Sequence, residues 1–308
     1  MAGRPVLLDT DISLGTPGAE IDDGAALIAL LASGSLDVKG ITTVHGNVDA
    51  QTAMHNLQRL LAFLHRPDIP LGLGASGPIS GSNDWFDVWK SGYGRTPPWP
   101  QFQETGSAID LIVDAARAYP HQLTILAVGP LTNLALALRA SPDIVSLVDS
   151  LVVMGGSFAS SAPEFNSRCD PEAAGIVLNA GWPVRMLGLD VTRYIRFSRA
   201  DFEALPRDNG ALDLLRRQAP VWIDRVEAEG WEQGGCSLHD AVALLALLDD
   251  GLFEWREAAV RVEVADPALR GSTTLSAVKE DGSSVRAAVS CQFQACYDAL
   301  WSLLAGAA

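Results

Sequence analysis

Residues 5–11 read Pro-Val-Leu-Leu-Asp-Thr-Asp, and residues 22–31 read Asp-Asp-Gly-Ala-Ala-Leu-Ile-Ala-Leu-Leu. The first run is typical of a buried strand and the second of a buried helix, so together they predict a strand-to-helix unit of an α/β fold. Ligands of such folds usually bind outside the carboxyl ends of the strands. The acidic residues that end the first run and open the second therefore lie where this fold class keeps its chemistry.

The four carboxylates at this turn belong to Asp9, Asp11, Asp22 and Asp23. At ~4 Å and an effective dielectric constant of ~20, two such charges repel by roughly 4 kcal/mol unless a proton or a cation intervenes. Taken alone, the Asp22-Asp23 pair also fits a simple role at a helix N-terminus, where acidic residues complement the helix dipole. The whole cluster, however, favours a site for a hard cation that prefers oxygen ligands.

The composition excludes several classes of protein. With 308 residues, of which 48% are hydrophobic, the chain can bury a sizeable core. The net charge of −15 argues against binding to a nucleic acid polymer or an anionic membrane, because both attract basic surfaces. The four cysteines form no Cys-x-x-Cys pair, so we expect buried free thiols. No apolar run approaches the ~18 residues of a membrane span, and we expect a cytoplasmic protein.

Apolar runs alternate with amphipathic stretches along most of the chain, which is typical of parallel strands linked by crossover helices. We expect one domain over residues 1–308, in which the segment 256–290 forms an antiparallel addition and residues 280–283 a turn. The predicted strands lie near 5–11, 37–45, 70–75, 123–129, 150–156 and 183–191. The predicted helices lie near 22–33, 49–65, 107–119, 131–140, 171–180, 211–229, 239–249 and 293–305.

Two long loops interrupt this pattern, at residues 76–106 and 157–169, and long loops in compact domains are usually functional. The first is rich in aromatic residues: Trp85, Phe86, Trp89, Tyr93, Trp99 and Phe102.

Several polar residues stand where strands end or helices begin. Asn47 alone fits a turn, the His239-Asp240 pair a helix N-terminus, and Asp170 a helix cap before Pro171. Glu164 and Asn166 have no such capping role to explain them.

Along the chain, short motifs occur in the following order: Asp-Thr-Asp, Asp-Asp, Gly-Asn, Val-Gly-Pro-Leu-Thr-Asn, Val-Met-Gly-Gly, Glu-Phe-Asn, Asp-Pro-Glu-Ala-Ala and His-Asp. The succession, from Asp9 to about Trp301, resembles the nucleoside hydrolase family, the inosine-uridine-preferring N-ribohydrolases. The resemblance implies a single α/β domain with a mostly parallel, Rossmann-like sheet. It also implies calcium-dependent hydrolysis of ribonucleosides to free base and ribose, by a homodimer or homotetramer.

The resemblance further implies roles for particular residues. Asp11 matches the general base, His239 a histidine near the leaving base, and Asp9 a residue that supports the site. The calcium ligands would be Asp11, Asp23, Asp240 and the backbone carbonyl of Val128. The substrate contacts would come from Asp22, Asn47, Met154, Glu164, Phe165, Asn166 and Asp240.

The residue types suit this chemistry. Three carboxylates, a carbonyl, a water and two ribose hydroxyls would supply seven or eight oxygen ligands, which fits Ca²⁺ better than octahedral Mg²⁺. A carboxylate base would then take the proton as water attacks C1′ of the ribose.

The chain departs from the family's pattern at three places. Ten residues, 12–21, separate Asp11 from Asp22 where the family usually has three, and their glycines and proline suggest a protruding turn. No histidine lies between His65 and His121, although many members carry one in this loop. The Asn expected after Gly156 to hold the 5′-hydroxyl is not evident. We therefore assign the chain to a subgroup with an insertion in the first aspartate motif.

Two other functions stay open at this point. The Asp9-Thr10-Asp11 motif also resembles the nucleophile of haloacid-dehalogenase-type phosphatases, which need a positioned lysine and a late acidic pair. A nucleoside-binding protein without turnover is the second alternative, and the release of free ribose separates it from a hydrolase. The preferred base is also open, since Trp85, Trp89, Trp222 and Trp231 fit either base stacking or a core.

Overall fold

The computed structural model describes residues 3–98, 105–207, 209–278 and 284–307. The strands are β1 Arg4–Thr10, β2 Leu36–Thr43, β3 Leu71–Leu73, β4 Gly106–Ser107, β5 Thr124–Ala127, β6 Ser150–Met154, β7 Val184–Leu187, β8 Arg196–Phe197, β9 Cys236–Ser237, β10 Phe253–Val262, β11 Thr273–Ser276 and β12 Val285–Cys291. The helices are α1 Asp22–Ala32, α2 Ala50–Phe63, α3 Asp87–Lys90, α4 Ala108–Ala118, α5 Thr132–Ala140, α6 Ile144–Leu147, α7 Phe165–Cys169, α8 Pro171–Leu178, α9 Leu189–Thr192, α10 Arg199–Ala204, α11 Gly210–Ala228, α12 His239–Leu248 and α13 Phe293–Ala305. Short 3₁₀ turns occupy Asp84–Phe86 and Asp250–Leu252.

Ten strands form one sheet in the order β11-β10-β12-β7-β6-β5-β1-β2-β3-β4. The strands from β12 to β4 in this order all pair in parallel, while β10 runs antiparallel to both β11 and β12. Strand β1 lies inside the sheet between β5 and β2. The predicted α/β class, with a mostly parallel sheet and a C-terminal antiparallel addition, is confirmed.

Side chains of successive strand residues point to opposite faces of the sheet. In β1, Val6 and Leu8 pack with α1 and α12 on one face, whereas Leu7 packs with α4 and α5 on the other. Because helices cover both faces, Val6, Leu7 and Leu8 form a continuous apolar run instead of an alternating pattern. This burial explains why a continuous apolar run marks β1 in the sequence.

Each strand and helix predicted from the sequence is present, with the ends of most elements shifted by one to three residues. Residues 188–191 are the main exception, because the chain leaves the sheet at Gly188 and forms α9. The expected turn at 280–283 and the aromatic residues Trp99 and Phe102 lie outside the described residues. All four cysteines are buried, as expected. Within the described segments, no helix has the length and apolarity that a bilayer crossing requires.

The insertion 12–21 does not protrude, so the expectation of an exposed turn is wrong. Residues 12–16 are buried, and other parts of the chain hold their backbone. The Asn56 side-chain amide donates to the Ile12 carbonyl at 3.3 Å, and the Gly15 N–H donates to the Gln218 side chain at 2.9 Å. The Gly94 N–H donates to the Pro17 carbonyl at 2.8 Å. Polar partners from distant segments therefore satisfy the insertion inside the protein.

Leu14 fixes the insertion against α1. It is fully buried, and a Cβ atom added at Gly24 would stand 2.2 Å from the Leu14 Cδ2 atom. Gly24 thus serves the packing of the insertion at a helix position where alanine would ordinarily be preferred.

We predict that Gly24→Ala destabilises the protein by about 1–3 kcal/mol, because the overpacked Leu14 must move. Gly175→Ala in α8 is the matched control, since no heavy atom lies within 4 Å of its added Cβ. That variant should gain about 0.5–1 kcal/mol from helix propensity. Denaturant unfolding measures both free energies, and an equal gain at the two positions would contradict the packing of Leu14 on Gly24.

Candidate active site

A cavity of about 540 Å³ opens at the carboxyl ends of the central strands. Nine of the eleven residues predicted from the sequence for the site line it: Asp22, Asn47, Val128, Met154, Glu164, Phe165, Asn166, His239 and Asp240. Asp11 and Asp23 are each 1% exposed and are connected to this lining through Asn47. The Asn47 N–H donates to Asp11 Oδ2 at 2.7 Å, and the Asn47 side-chain amide donates to Asp23 Oδ2 at 3.4 Å.

Three carboxylates form the acidic cluster of this cavity: Asp22, Asp23 and Asp240. Each offers an oxygen atom, and these oxygens lie within 4.8 Å of one another. The cluster is assembled by two helix N-termini, because Asp22 and Asp23 open α1 while Asp240 lies in the first turn of α12. Both helix dipoles favour negative charge at this point.

The negative charges of the cluster repel one another and need a compensating proton or cation. Burial, followed by the charge of Asp22, raises the pKa of Asp23 to about 7, even though the Thr10 hydroxyl donates to it. Burial and the charges of Asp22 and Asp23 likewise hold the pKa of Asp240 well above its usual range. Burial and mutual repulsion therefore disfavour the ionised forms of these groups, and a bound cation would favour the carboxylates.

Asp11 lies beside the cluster. Burial and the charge of Asp23 raise its pKa well above the usual value. A Cβ atom at Gly46 would come within 1.9 Å of Asp11 Oδ2, and the φ of Gly46 is +159°. Only glycine therefore allows the backbone to approach closely enough for the Asn47 N–H to reach Asp11.

Asn166 and Val128 also meet in this cavity. The side-chain amide of Asn166 donates to the Val128 carbonyl at 2.6 Å and, more weakly, to the Met154 carbonyl at 3.4 Å. Val128 follows directly after β5, and Met154 ends β6. The predicted backbone ligand and two predicted substrate contacts are thus brought together.

Glu164 caps helix α7, so the expectation that it has no capping role is wrong. Its carboxylate accepts the N–H groups of Gly156 at 3.0 Å, Asn166 at 2.8 Å and Ser167 at 3.0 Å. It also lines the cavity, because this helix begins at the cavity wall. Asp170 caps α8 as predicted, with the Ala173 N–H donating at 3.0 Å.

His239 begins α12, and both of its ring nitrogens have neighbours. Nδ1 lies 2.7 Å from the Thr192 hydroxyl, and Nε2 lies 3.7 Å from a carboxylate oxygen of Glu232. Burial acts to lower the pKa of His239, but the proximity of Glu232 and the charge of Asp22 outweigh it and raise this pKa. Glu232 is fixed in turn by the Ser237 N–H at 2.7 Å.

An aromatic wall completes the cavity. The rings of Trp89 and Trp231 stack with centroids 4.5 Å apart, and Trp222 meets Trp89 edge-on at 6.3 Å. Trp89 comes from the long loop 76–106, which also supplies Phe86 against Phe165 at 4.7 Å. The loop that the sequence marked as functional therefore forms part of the site.

Four charged lining residues were missed by reasoning from the sequence: Glu20, Arg193, Arg196 and Glu232. Glu20 carried a signal, since an acidic residue two positions before the Asp22-Asp23 pair belongs to the same turn. The others lie in regions without a motif, so their position follows only from the fold.

The fold and the cavity define an α/β protein whose sheet carries a small-molecule site at its carboxyl edge. The model of the family described as inosine-uridine preferring nucleoside hydrolase matches residues 6–298, and the chain belongs to this family. The resemblance seen in the sequence is confirmed. Membership of this family sets aside the phosphatase interpretation of Asp9-Thr10-Asp11.

Known relatives agree with this placement. The chain is 35% identical over 281 residues to the pyrimidine-specific ribonucleoside hydrolase RihA of Salmonella paratyphi B, covering 88% of both chains. Among solved structures, it resembles the purine-preferring ribonucleoside hydrolase from Gardnerella vaginalis, with a TM-score of 0.87, 25% identity and 99% of both chains covered. It also resembles an inosine-guanosine nucleoside hydrolase, with a TM-score of 0.82, 26% identity and coverage of 98% of this chain and 99% of the other.

Proposed function

We propose that this protein hydrolyses the N-glycosidic bond of ribonucleosides and uses Ca²⁺ to do so. Family membership supports the reaction class. The observation that carries the proposal is one cavity with two kinds of lining: Asp22 and Asp240 of the acidic cluster with Asn47, Glu164 and Asn166, and His239 with the aromatic wall. The first set suits a ribose, which is rich in hydroxyls, and the second suits a flat base that leaves with a proton.

The donor set fits a calcium ion. All candidate ligands are oxygen atoms, the three clustered carboxylates lie within 4.8 Å of one another, and burial disfavours their charge unless a cation is present. Asp11, Asp23, Asp240 and the Val128 carbonyl would hold the ion. Bound there, Ca²⁺ would compensate the carboxylates and polarise the attacking water. Asp22 is then available for the ribose hydroxyls.

Asp11 is the general base in this proposal. Its carboxylate is buried beside the acidic cluster, and the Asn47 N–H holds its orientation. As the bond to the base breaks, the ribose ring gains positive charge, which the surrounding carboxylates stabilise.

The ribose hydroxyls meet Asp22, Asn47, Glu164 and Asn166. Glu164 already accepts three backbone N–H groups, and a carboxylate has about four lone-pair sites, so one site is left for a hydroxyl donor. Its capping role fixes that acceptor at the cavity wall. Met154 and Phe165 would pack against the sugar or the base.

His239 supports departure of the base. Glu232 and Asp22 favour its protonated form, and Thr192 fixes its ring, so it can donate a proton or a hydrogen bond to the leaving group. No histidine of the 76–106 loop shares this role, because the loop contains none.

A panel of purine and pyrimidine ribonucleosides, incubated with the protein and Ca²⁺ and assayed for free ribose, tests the function. Tight nucleoside binding without ribose release would favour a binding protein instead. The homodimer or homotetramer and the single domain stay predictions, which light scattering and limited proteolysis would test.

Exhaustive chelation should abolish turnover and lower the thermal stability of the protein, because the acidic cluster loses its counter-charge. Added Ca²⁺ should restore both. The measurements are ribose release and the melting temperature, with a zinc-only sample as the control for ion identity. Full activity in a sample shown to be free of metal by elemental analysis would contradict the calcium site.

Asp11→Asn should fold and bind nucleoside while kcat falls by about 10²–10⁴-fold, because the amide cannot accept the proton of the attacking water. Asp49→Asn is the control, since Asp49 only caps α2 and is exposed. Turnover of Asp11→Asn within about tenfold of the wild type would remove Asp11 from this role.

His239→Ala should slow the hydrolysis of natural nucleosides by about 10²-fold or more and spare p-nitrophenyl riboside, whose leaving group needs no proton. The comparison of kcat/KM for the two substrates measures this difference. Equal losses on both substrates would mean that His239 positions the site, and no loss on either would make it structural.

A further inference from the structure

Glu20 is the one acidic residue in the sequence of the insertion 12–21, and it lines the cavity. Its backbone is fixed, because its carbonyl accepts the Ser13 hydroxyl at 2.8 Å and the preceding Ala19 N–H donates to the Thr16 carbonyl at 3.1 Å. The insertion therefore delivers a carboxylate to the site from a rigid support.

The Glu20 carboxylate differs from the other acids of the cavity. Glu164 and Glu232 accept backbone N–H groups, and Asp22 accepts those of Asp23 and Asp240. Throughout the described residues, the Glu20 carboxylate has no hydrogen-bond donor and no ion-pair partner. It is half-buried, so it faces the space that a ligand would fill.

The surroundings place Glu20 within electrostatic reach of both the acidic cluster and the aromatic wall. Burial and then the like charges of Asp22 and Asp23 raise the pKa of Glu20, and a cation bound in the acidic cluster would offset those charges and favour the carboxylate. Burial and the charge of Glu20 together raise the pKa of the Tyr93 phenol, whose oxygen accepts the Trp89 ring N–H at 3.2 Å. Glu20 thus lines the same cavity as Asp22 and Asp240 of the acidic cluster and Trp89 and Trp231 of the aromatic wall.

An ionised carboxylate accepts hydrogen bonds and donates none. When a substrate displaces water from the cavity, an unpaired carboxylate is costly unless the substrate brings a donor to it. A base with an amino group supplies that donor, whereas a carbonyl at the same place is repelled.

We propose that Glu20 is a specificity residue that accepts a hydrogen bond from the exocyclic amino group of the leaving base. The inference rests on the proposed ribonucleoside hydrolysis and adds the substrate class, namely nucleosides whose base carries an amino group.

Cytidine and uridine provide the test, because an amino group in the first stands where the second has a carbonyl. The wild type should favour cytidine in kcat/KM by about tenfold or more, the size expected for one hydrogen bond to a charged group. Glu20→Gln should shift this ratio at least about tenfold towards uridine, since an amide also donates. The kcat/KM for p-nitrophenyl riboside, which has no amino group, should change less than the kcat/KM for cytidine.

The control is Glu229→Gln, which removes the same charge from an exposed residue at the end of α11. It should keep the wild-type ratio. A ratio that Glu20→Gln leaves unchanged, or an equal loss on all three substrates, would overturn the proposal. The melting temperature of each variant shows whether it folds.

Calorimetric binding of cytidine and uridine to the wild type makes the same comparison without turnover and without a variant. Tighter binding of cytidine is expected, and equal or weaker binding would overturn the role of Glu20. If no ribonucleoside of the purine and pyrimidine panel released ribose, the proposed function would fail, while the binding comparison would still decide the role of Glu20.

Discussion

Repulsion among buried carboxylates is the constraint on which this structure depends. Asp22, Asp23 and Asp240 converge within 4.8 Å, with Asp11 beside them, and burial raises the pKa of each. Such a cluster is tolerable only where fixed dipoles face it and a cation can enter. The N-termini of α1 and α12 supply the dipoles, and both helices are held there by the core on one face of the sheet. The fold thus holds together carboxylates that repel one another.

Much of this fold follows from local sequence. Strands of a parallel sheet are buried on both faces, so β1 and β5 appear as continuous apolar runs, and the helices between them show a helical period. The boundaries of the short helices α7 and α9 do not follow in this way. Helix α7 depends on the Glu164 side chain, which accepts the N–H groups of Asn166 and Ser167, and α9 depends on the chain leaving the sheet at Gly188.

The site residues also divide into those that local sequence identifies and those that it does not. Asp11, Asp23 and Asp240 could be placed from motifs, because each stands at the end of a strand or the start of a helix. The partners of His239 could not, since Thr192 is 47 residues away in the chain and Glu232 lies in a segment without a motif. The burial of the insertion could not be predicted either. It depends on the space that Leu14 finds at Gly24 and on polar side chains from α2 and α11.

Arg225 of α11 connects two parts of this chain that depart from the family's pattern, the insertion 12–21 and the loop 76–106. Its guanidinium donates to the Gly18 carbonyl at 3.0 Å and to the Trp89 carbonyl, and it lies 3.6 Å from the centre of the Trp89 ring. A planar cation with several donors can satisfy both carbonyls and the ring at once, which a lysine cannot. The insertion and the aromatic loop are therefore anchored to one side chain, and a change in either alters the support of the other. The acidic cluster stands at the starts of α1 and α12, while Arg225 joins the insertion and the aromatic loop at the same cavity.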